Sequence, residues 1–229
     1  MRPGSIPMMR IISLTEVSED EAAARVAEMT KSGGVAGVPT DTVYGLVCDA
    51  RNTEAIRRMF MMKKRPREKA FPIFVKDIAT ARFYAYISDV KAGFLEKVWP
   101  GGVTAVFQHK EKLPPVLTGG LPTLGIRIPD APFLSGLLMR LDFPLAQTSA
   151  NISDSPPAKT ATEAVAYFQN EKEQPDIIID GGPLGGASST VIDFTGAHPL
   201  ILRAGPVSKR DLGALYRGLF NDTQYLNAL

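Results

Sequence analysis

Short apolar runs and stretches of helical periodicity alternate along the whole chain. Between Glu16 and Lys31, Ala23, Val26, Ala27 and Thr30 recur at helical spacing while Glu19, Asp20 and Glu21 suit a helix N-terminus; a helix is predicted there, ended by Gly33-Gly34. A second is predicted over Thr53–Lys64, with Thr53 as N-cap, Ile56, Met59 and Phe60 on one face, and Pro66 as its stop. Further helices read over Ile78–Tyr86, Val90–Val98, Pro132–Leu141, Ala161–Phe168 (capped by Thr160) and Ser208–Leu219, where Ser208 and Asp211 fit a variant capping box. Strands are predicted at Val35–Pro39, Phe71–Val75, Val103–His109, Thr123–Ile128, Leu145–Ser149, Ile177–Asp180, Thr190–Phe194 and Leu200–Arg203. Thr40–Gly45 reads as a turn, and Trp99-Pro100-Gly101-Gly102 as a hard stop.

Strands interspersed with helices define an α/β class. The Thr104–Ile126 connection is too short and too rich in Pro and Gly for a helical crossover, so the sheet is predicted to be mixed, parallel and antiparallel, with flanking helices. There is no internal repeat, low-complexity stretch or linker composition. The expected organisation is a loose tail over 1–9, one domain over 10–207, and a C-terminal helix and tail over 208–229 packed on that domain.

Composition narrows the class. Of 229 residues, 45% are hydrophobic and 22% charged, an ordinary globular balance that can bury a core without staples. The single cysteine, Cys48, excludes an intrachain disulfide and points to a reducing compartment. No apolar run reaches the ~18–20 residues of a membrane span, and Met1–Met9 lacks signal-peptide character; the expectation is a cytoplasmic protein. A net charge of +2 does not itself imply nucleic-acid binding. Its distribution is uneven: Arg57, Arg58, Lys63, Lys64, Arg65, Arg67 and Lys69 crowd one stretch, opposed within it only by Glu68.

Four segments carry candidate chemistry. Pro39-Thr40-Asp41-Thr42-Val43-Tyr44-Gly45-Leu46 packs hydroxyls, a carboxylate and a phenol behind a strand, which suits either a small polar ligand or a capped turn. Lys63-Lys64-Arg65-Pro66-Arg67 suits a polyphosphate or a solvated helix C-terminus. Gln147-Thr148-Ser149-Ala150-Asn151 offers donors and acceptors at a strand end. Gly181–Thr190 is a glycine-rich loop, either an anion cradle or a plain connection. No Walker A or dinucleotide fingerprint is present. The two histidines, His109 and His198, stand apart from any serine elbow, so neither a serine hydrolase nor a zinc site is indicated, and no protein-ligated metal is expected.

Taken in order, these segments resemble the YrdC family of threonylcarbamoyl-AMP synthases. The resemblance is carried by Gly37–Leu46, Lys63-x-Arg65-Pro66, Trp99-Pro100-Gly101-Gly102-x-Thr104, Gly125-Ile126-Arg127-Ile128-Pro129-Asp130, Thr148-Ser149-Ala150-Asn151, Ser189–Asp193 and Ile201-Leu202-Arg203-x-Gly205, running from about residue 14 to about residue 207. It implies a twisted mixed sheet around a positively charged cavity. It also implies a nucleotidyltransferase that joins L-threonine, bicarbonate or CO2, and ATP into threonylcarbamoyl-AMP, releasing pyrophosphate. A downstream threonylcarbamoyl-transferase complex would then modify tRNA, with tRNA or double-stranded RNA as a further contact.

By the same resemblance, Thr40, Tyr44, Arg127, Thr148 and Ser189 would bind threonine, with Arg127 on its carboxylate. Lys63, Arg67, Thr123, Ser149, Asn151, Lys159 and Arg203 would bind ATP, with Mg2+ on its phosphates. Lys63, Arg65, Ser149 and Asn151 would serve the chemistry. Two stretches depart from the family pattern: Lys69-Ala70-Phe71-Pro72, where a histidine or asparagine is common, and Pro157-Ala158-Lys159-Thr160. The resemblance is to the single-domain form, so the extra C-terminal domain of two-domain members is not expected. The rival expectations are an RNA-binding module and a paralogue whose substrate has drifted.

Overall fold

The structure is a computed structural model that describes residues 9–66, 68–196, 198–208 and 210–213. Its strands are β1 (Arg10–Ser13), β2 (Ala36–Val38), β3 (Gly45–Asp49), β4 (Ile73–Phe74), β5 (Val103–Gln108), β6 (Thr123–Arg127), β7 (Leu145–Ser149), β8 (Ile177–Asp180), β9 (Thr190–Asp193) and β10 (Leu200–Arg203). Its helices are α1 (Glu19–Lys31), α2 (Thr53–Lys63), α3 (Ile78–Tyr84), α4 (Asp89–Leu95), α5 (Pro115–Thr118), α6 (Pro132–Met139) and α7 (Ala161–Phe168). All ten strands join one sheet in the order β1-β8-β2-β3-β7-β4-β6-β5-β9-β10. Parallel pairs (β1·β8, β2·β8, β4·β6, β5·β9) alternate with antiparallel ones (β2·β3, β3·β7, β4·β7, β5·β6, β9·β10), the mixed sheet that the short connections predict.

Three elements are absent from the pattern reading: edge strand β1, central strand β3 and the single turn α5. A helix start and a helix cap also differ from the pattern reading. Helix α1 begins at Glu19, because the Ser18 hydroxyl accepts from Glu21 N–H. Helix α2 is capped by Asn52, not Thr53: Asn52 Oδ1 accepts from the Glu54 and Ala55 amides, each at 3.0 Å. The predicted helix after Ser208 begins within the described residues, where Ser208 Oγ accepts from Asp211 N–H; Ala214 onward lies outside them, as do residues 1–8 of the expected tail. Among the described residues no helix is long and apolar enough to cross a membrane.

The two faces of the sheet are covered unequally, and this creates the site. One face carries the larger core, in which Leu46, Ile73, Ala105, Ile126 and Ala146 meet α2, α4 and α7 through Met59, Phe94 and Phe168. On the other face α1 packs against α6, and together they cover only the β8-β2-β3-β7-β4 half, around Ala36, Val38, Val47, Phe74, Leu145 and Ile177. Side chains alternate between faces along a strand, so Gln147, Ser149, Thr123, Gly125, Arg127, Thr104 and Val106 share that second face beyond the helices, as the pairings of Val106 with Gly125 and of Gln108 with Thr123 require.

Candidate functional site: a hydroxyl- and arginine-lined cleft

The uncovered half-face forms a cleft of about 360 Å3. Its floor is apolar where Pro72, Phe74, Gly125, Val106 and Val191 face it; its walls carry Thr40, Thr42, Tyr44, Thr104, Thr123, Thr148, Ser149, Ser189, Arg65, Arg127 and Arg203. Gly125 is required by close approach: a Cβ there would stand 2.9 Å from Pro72 Cβ and would fill the floor.

The turn after β2 is self-bonded. Thr40 Oγ1 donates to Val43 O (2.8 Å), accepts from the Thr42 amide (2.9 Å) and lies 2.9 Å from Thr42 Oγ1. The segment is therefore a capped turn, and it also lines the cleft. Tyr44 donates to Gly182 O (2.8 Å) and accepts from Gly181 N–H (3.0 Å), which fastens the glycine-rich loop beside the turn. Burial holds its phenol above the usual pKa, as does the nearby Asp180 carboxylate. Further along that loop, a Cβ on Gly186 would sit 2.3 Å from Thr42 O, so loop and turn touch backbone to backbone.

Arg127 is 3% exposed and fully engaged. It donates from Nε to Gly101 O (2.9 Å), from one terminal nitrogen to Thr42 Oγ1 (3.2 Å), and from the other to Asp41 Oδ1 (2.5 Å). Asp41 thus already supplies a carboxylate to the guanidinium expected to hold one from a ligand. Opposite it, Thr104 Oγ1 lies 2.9 Å from Ser189 Oγ, and Arg203 donates to both Ser189 O (2.8 Å) and Ser189 Oγ (3.1 Å). Burial, followed by repulsion from Arg127, lowers the Arg203 pKa.

At the other end, Lys64 ends α2 in the left-handed region (φ 48°), and the chain turns so that Lys63 and Arg65 part company. Arg65 reaches the cleft, donating to Lys69 O and Ala70 O; burial and Arg203 lower its pKa, against the pull of Asp154. Lys63 is 2% exposed and lies behind the wall: its Nζ donates to Ser149 O (2.7 Å) and Asn151 Oδ1 (2.5 Å), 3.5 Å from Ser149 Oγ. Burial first, then Arg65, lowers it to about 7.

Thr40, Tyr44, Arg65, Thr123, Arg127, Thr148, Ser149, Ser189 and Arg203 therefore converge on one cleft, with Lys63 and Asn151 directly behind Ser149. Lys159 does not line it: the residue borders a separate shallow groove with Pro156, Pro157 and Tyr167, so the structure gives no placement for a phosphate contact from it. Arg67 lies outside the described residues. Gln147, absent from the expected site residues, lines the floor; its alternation with Ser149 along β7 is the signal that finds it.

The basic run around Lys63 is not a continuous positive face. Arg57 pairs with Glu54, Arg58 with Asp176 (3.0 Å) and Glu173 (3.4 Å), and Lys64 with Glu171 (2.9 Å), while Lys63 is buried. The acids come mostly from the stretch before β8, which linear proximity to Glu68 does not reveal.

Fold and cleft define an α/β protein whose half-covered sheet face forms a cleft lined by hydroxyls and arginines. The profile of the Sua5, YciO and YrdC family, described as telomere recombination, matches residues 28–205, and the chain belongs to that family. Over 201 residues it is 34% identical to the threonylcarbamoyl-AMP synthase of Bacillus subtilis, covering 86% of this chain and 57% of that one. Pyrococcus abyssi Sua5, solved in complex with L-threonine, superposes with a TM-score of 0.82 at 32% identity over 90% of this chain and 60% of that one. YciO of E. coli superposes at 0.79 with 25% identity, over 89% and 98%. The chain thus spans about three fifths of the length of the first two relatives.

Proposed function

We propose that the cleft makes threonylcarbamoyl-AMP and pyrophosphate from L-threonine, bicarbonate or CO2, and ATP. The observation that carries this reading is the meeting of two chemistries in one cleft. Hydroxyls from Thr40, Thr104 and Ser189 line it together with Arg127, a set suited to a small hydroxyl-bearing amino acid. Arg65 and Arg203 face the same space and, among the described residues, form no ion pair with a carboxylate, a set suited to phosphates. A relative of 32% identity bound to L-threonine supports the first half, and relatives named threonylcarbamoyl-AMP synthase support the whole.

The chemistry needs no nucleophilic side chain from the cleft. The amine of threonine adds to CO2 with loss of a proton, or to bicarbonate with loss of water, to give a carbamate, whose oxygen attacks the α-phosphorus of ATP as pyrophosphate leaves. Such a reaction depends on positioning and on cations near the developing charge, which Arg65 and Arg203 supply. Mg2+ would enter on the phosphates of ATP, with water filling its remaining positions, and would neutralise phosphate charge there. We place the reaction in the cytoplasm and assign its product to a downstream transferase complex that modifies tRNA. Direct RNA contact by this chain has less support, because the basic run is largely paired with acids.

Incubation of the purified protein with ATP, Mg2+, bicarbonate and single amino acids tests the reading. A threonine-dependent AMP adduct by mass spectrometry, with matching pyrophosphate, is the expected result. An adduct with another amino acid and none with threonine would establish a drifted substrate, and no adduct at all would overturn the reading.

A further inference from the structure

Lys63 poses a problem that phosphate binding does not solve. It is 2% exposed, it does not border the cleft, and among the described residues no carboxylate forms an ion pair with it. Its Nζ meets neutral oxygens only: Ser149 O at 2.7 Å, Asn151 Oδ1 at 2.5 Å and Ser149 Oγ at 3.5 Å. Asn151 is locked with its oxygen toward this point, because its Nδ2 donates to Ile152 O (2.9 Å) and Ser155 O (2.6 Å). Ser149 Oγ, whose hydroxyl donates to the same Asn151 oxygen at 2.6 Å, is the one member of the cluster that lines the cleft. A buried lysine kept permanently charged is stabilised by a carboxylate partner, and a carboxylate is what this cluster lacks.

We propose that Lys63 takes up, through Ser149, the proton that the ligand's ammonium group must lose before its nitrogen can attack carbon. This rests on the reading of the cleft given above and names the base which that reading leaves open. One N–H bond of the ammonium breaks as an O–H bond forms at Ser149 Oγ. The original Ser149 hydroxyl turns from Asn151 Oδ1 toward Lys63 Nζ, 3.5 Å away, and closes on it, and its O–H bond breaks as an N–H bond forms at Lys63 Nζ. The ligand is left as an amine with a free electron pair, and Lys63 as an ammonium held by Ser149 O and Asn151 Oδ1. Lys63 is a positioning residue in this scheme, since Ser149 alone meets the ligand. The charged groups that act on Lys63 are Arg65, which discourages the proton, and Asp154, which favours it; with burial dominant, the amine is poised near neutrality, where a base works best.

The test compares the wild type with Lys63→Arg, which keeps a cation and hydrogen-bond donors but cannot release a proton near neutrality. The wild-type rate of threonine-dependent pyrophosphate release is expected to rise with pH through about 7 and then level. Lys63→Arg should be slower by roughly 100-fold or more and should lose that limb, with ATP affinity by calorimetry within about threefold. Ser149→Ala should match it, and the double variant should fall no further, because the two act in one relay. Carbon-13 labelling at lysine Cε gives a readout free of turnover: one resonance, missing from Lys63→Arg, should titrate near neutrality. A Lys63→Arg enzyme with wild-type rate and limb, or a Lys63 resonance that titrates in the ordinary lysine range, overturns the relay while the synthase reading stands. A wild type without threonine-dependent product, in contrast, refutes the reading of the cleft and the relay with it.

Discussion

Asp41→Asn isolates what the Asp41–Arg127 pair contributes, because it removes a charge and almost no volume. The Arg127 side chain is 3% exposed and that of Asp41 13%, so the pair is shielded from solvent and salt. Removing one partner of a buried pair costs about 3–5 kcal/mol where nothing replaces it. Here Arg127 keeps Gly101 O at 2.9 Å and Thr42 Oγ1 at 3.2 Å, and an asparagine oxygen could still accept at the vacated position. What is lost is the charged component of one hydrogen bond, about 2 kcal/mol. With a urea slope of about 2 kcal/mol/M, the unfolding midpoint should fall by about 1 M. The double variant Asp41→Asn/Arg127→Met should recover a coupling of about 2 kcal/mol against the single variants. An unchanged midpoint, or strictly additive variants, would refute the view that Arg127 is held by charge and not merely by its three acceptors. Threonine affinity should tighten at the same time, since the ligand carboxylate no longer competes with Asp41; a weaker affinity by calorimetry would show that Asp41 places the ligand instead.

Asn52→Ala should cost about 1 kcal/mol in urea unfolding and Thr53→Ala close to nothing, because Asn52 Oδ1 holds both free amides of α2; equal costs would return the cap to Thr53. Gly186→Ala drives a Cβ to 2.3 Å from Thr42 O, so the loop must lift from the turn; threonine binding should weaken severalfold by calorimetry, and unaltered binding would detach this contact from the site. Lys63 has a folded pKa of about 7 against an ordinary 10.5, so between those values the unfolded chain holds a proton that the folded chain does not. Stability should therefore rise with pH across that window, by on the order of a few kcal/mol, and Lys63→Met should flatten the rise; parallel stability–pH curves for the two proteins would refute the depressed pKa.

Elements whose signal is local are legible in the chain itself. Strands β7, β8 and β10 and helix α7 fall where the pattern puts them, since each is bounded by prolines, acids or a cap and needs no partner to be recognised. Strand β3 was not read because Gly45–Asp49 is buried on both faces, so no alternation marks it; only its partners β2 and β7 define it. Strand β1 is short and largely exposed and exists through its pairing with β8. The same division runs through the site. The residue types of the cleft are visible as motifs, yet which of them meet depends on strand register. Asp41 and Arg127 are 86 positions apart, as are Lys63 and Ser149, and nothing in either segment announces the other. Lys159 shows the converse: proximity in sequence to Ser149 and Asn151 does not bring it to the cleft.

The cations of the cleft explain why an anionic ligand belongs there. Arg65 and Arg203 are partly buried, and burial is the main cause of their lowered pKa values; repulsion from Arg203 adds to it for Arg65, and repulsion from Arg127 for Arg203. Arg127 has a carboxylate of its own in Asp41, whereas Arg65 and Arg203 donate chiefly to backbone carbonyls and a serine, all neutral acceptors, with Asp154 offsetting part of the Arg65 charge. A phosphate between these two arginines would relieve their mutual repulsion and gain two charge-assisted contacts at once. Their contributions to nucleotide affinity should for that reason be less than additive. Each single alanine variant removes part of the attraction but also part of the repulsion, so Arg65→Ala/Arg203→Ala should bind ATP more tightly than the product of the single effects implies. Strict additivity in that cycle would place the two arginines on separate ligand groups and refute a shared phosphate.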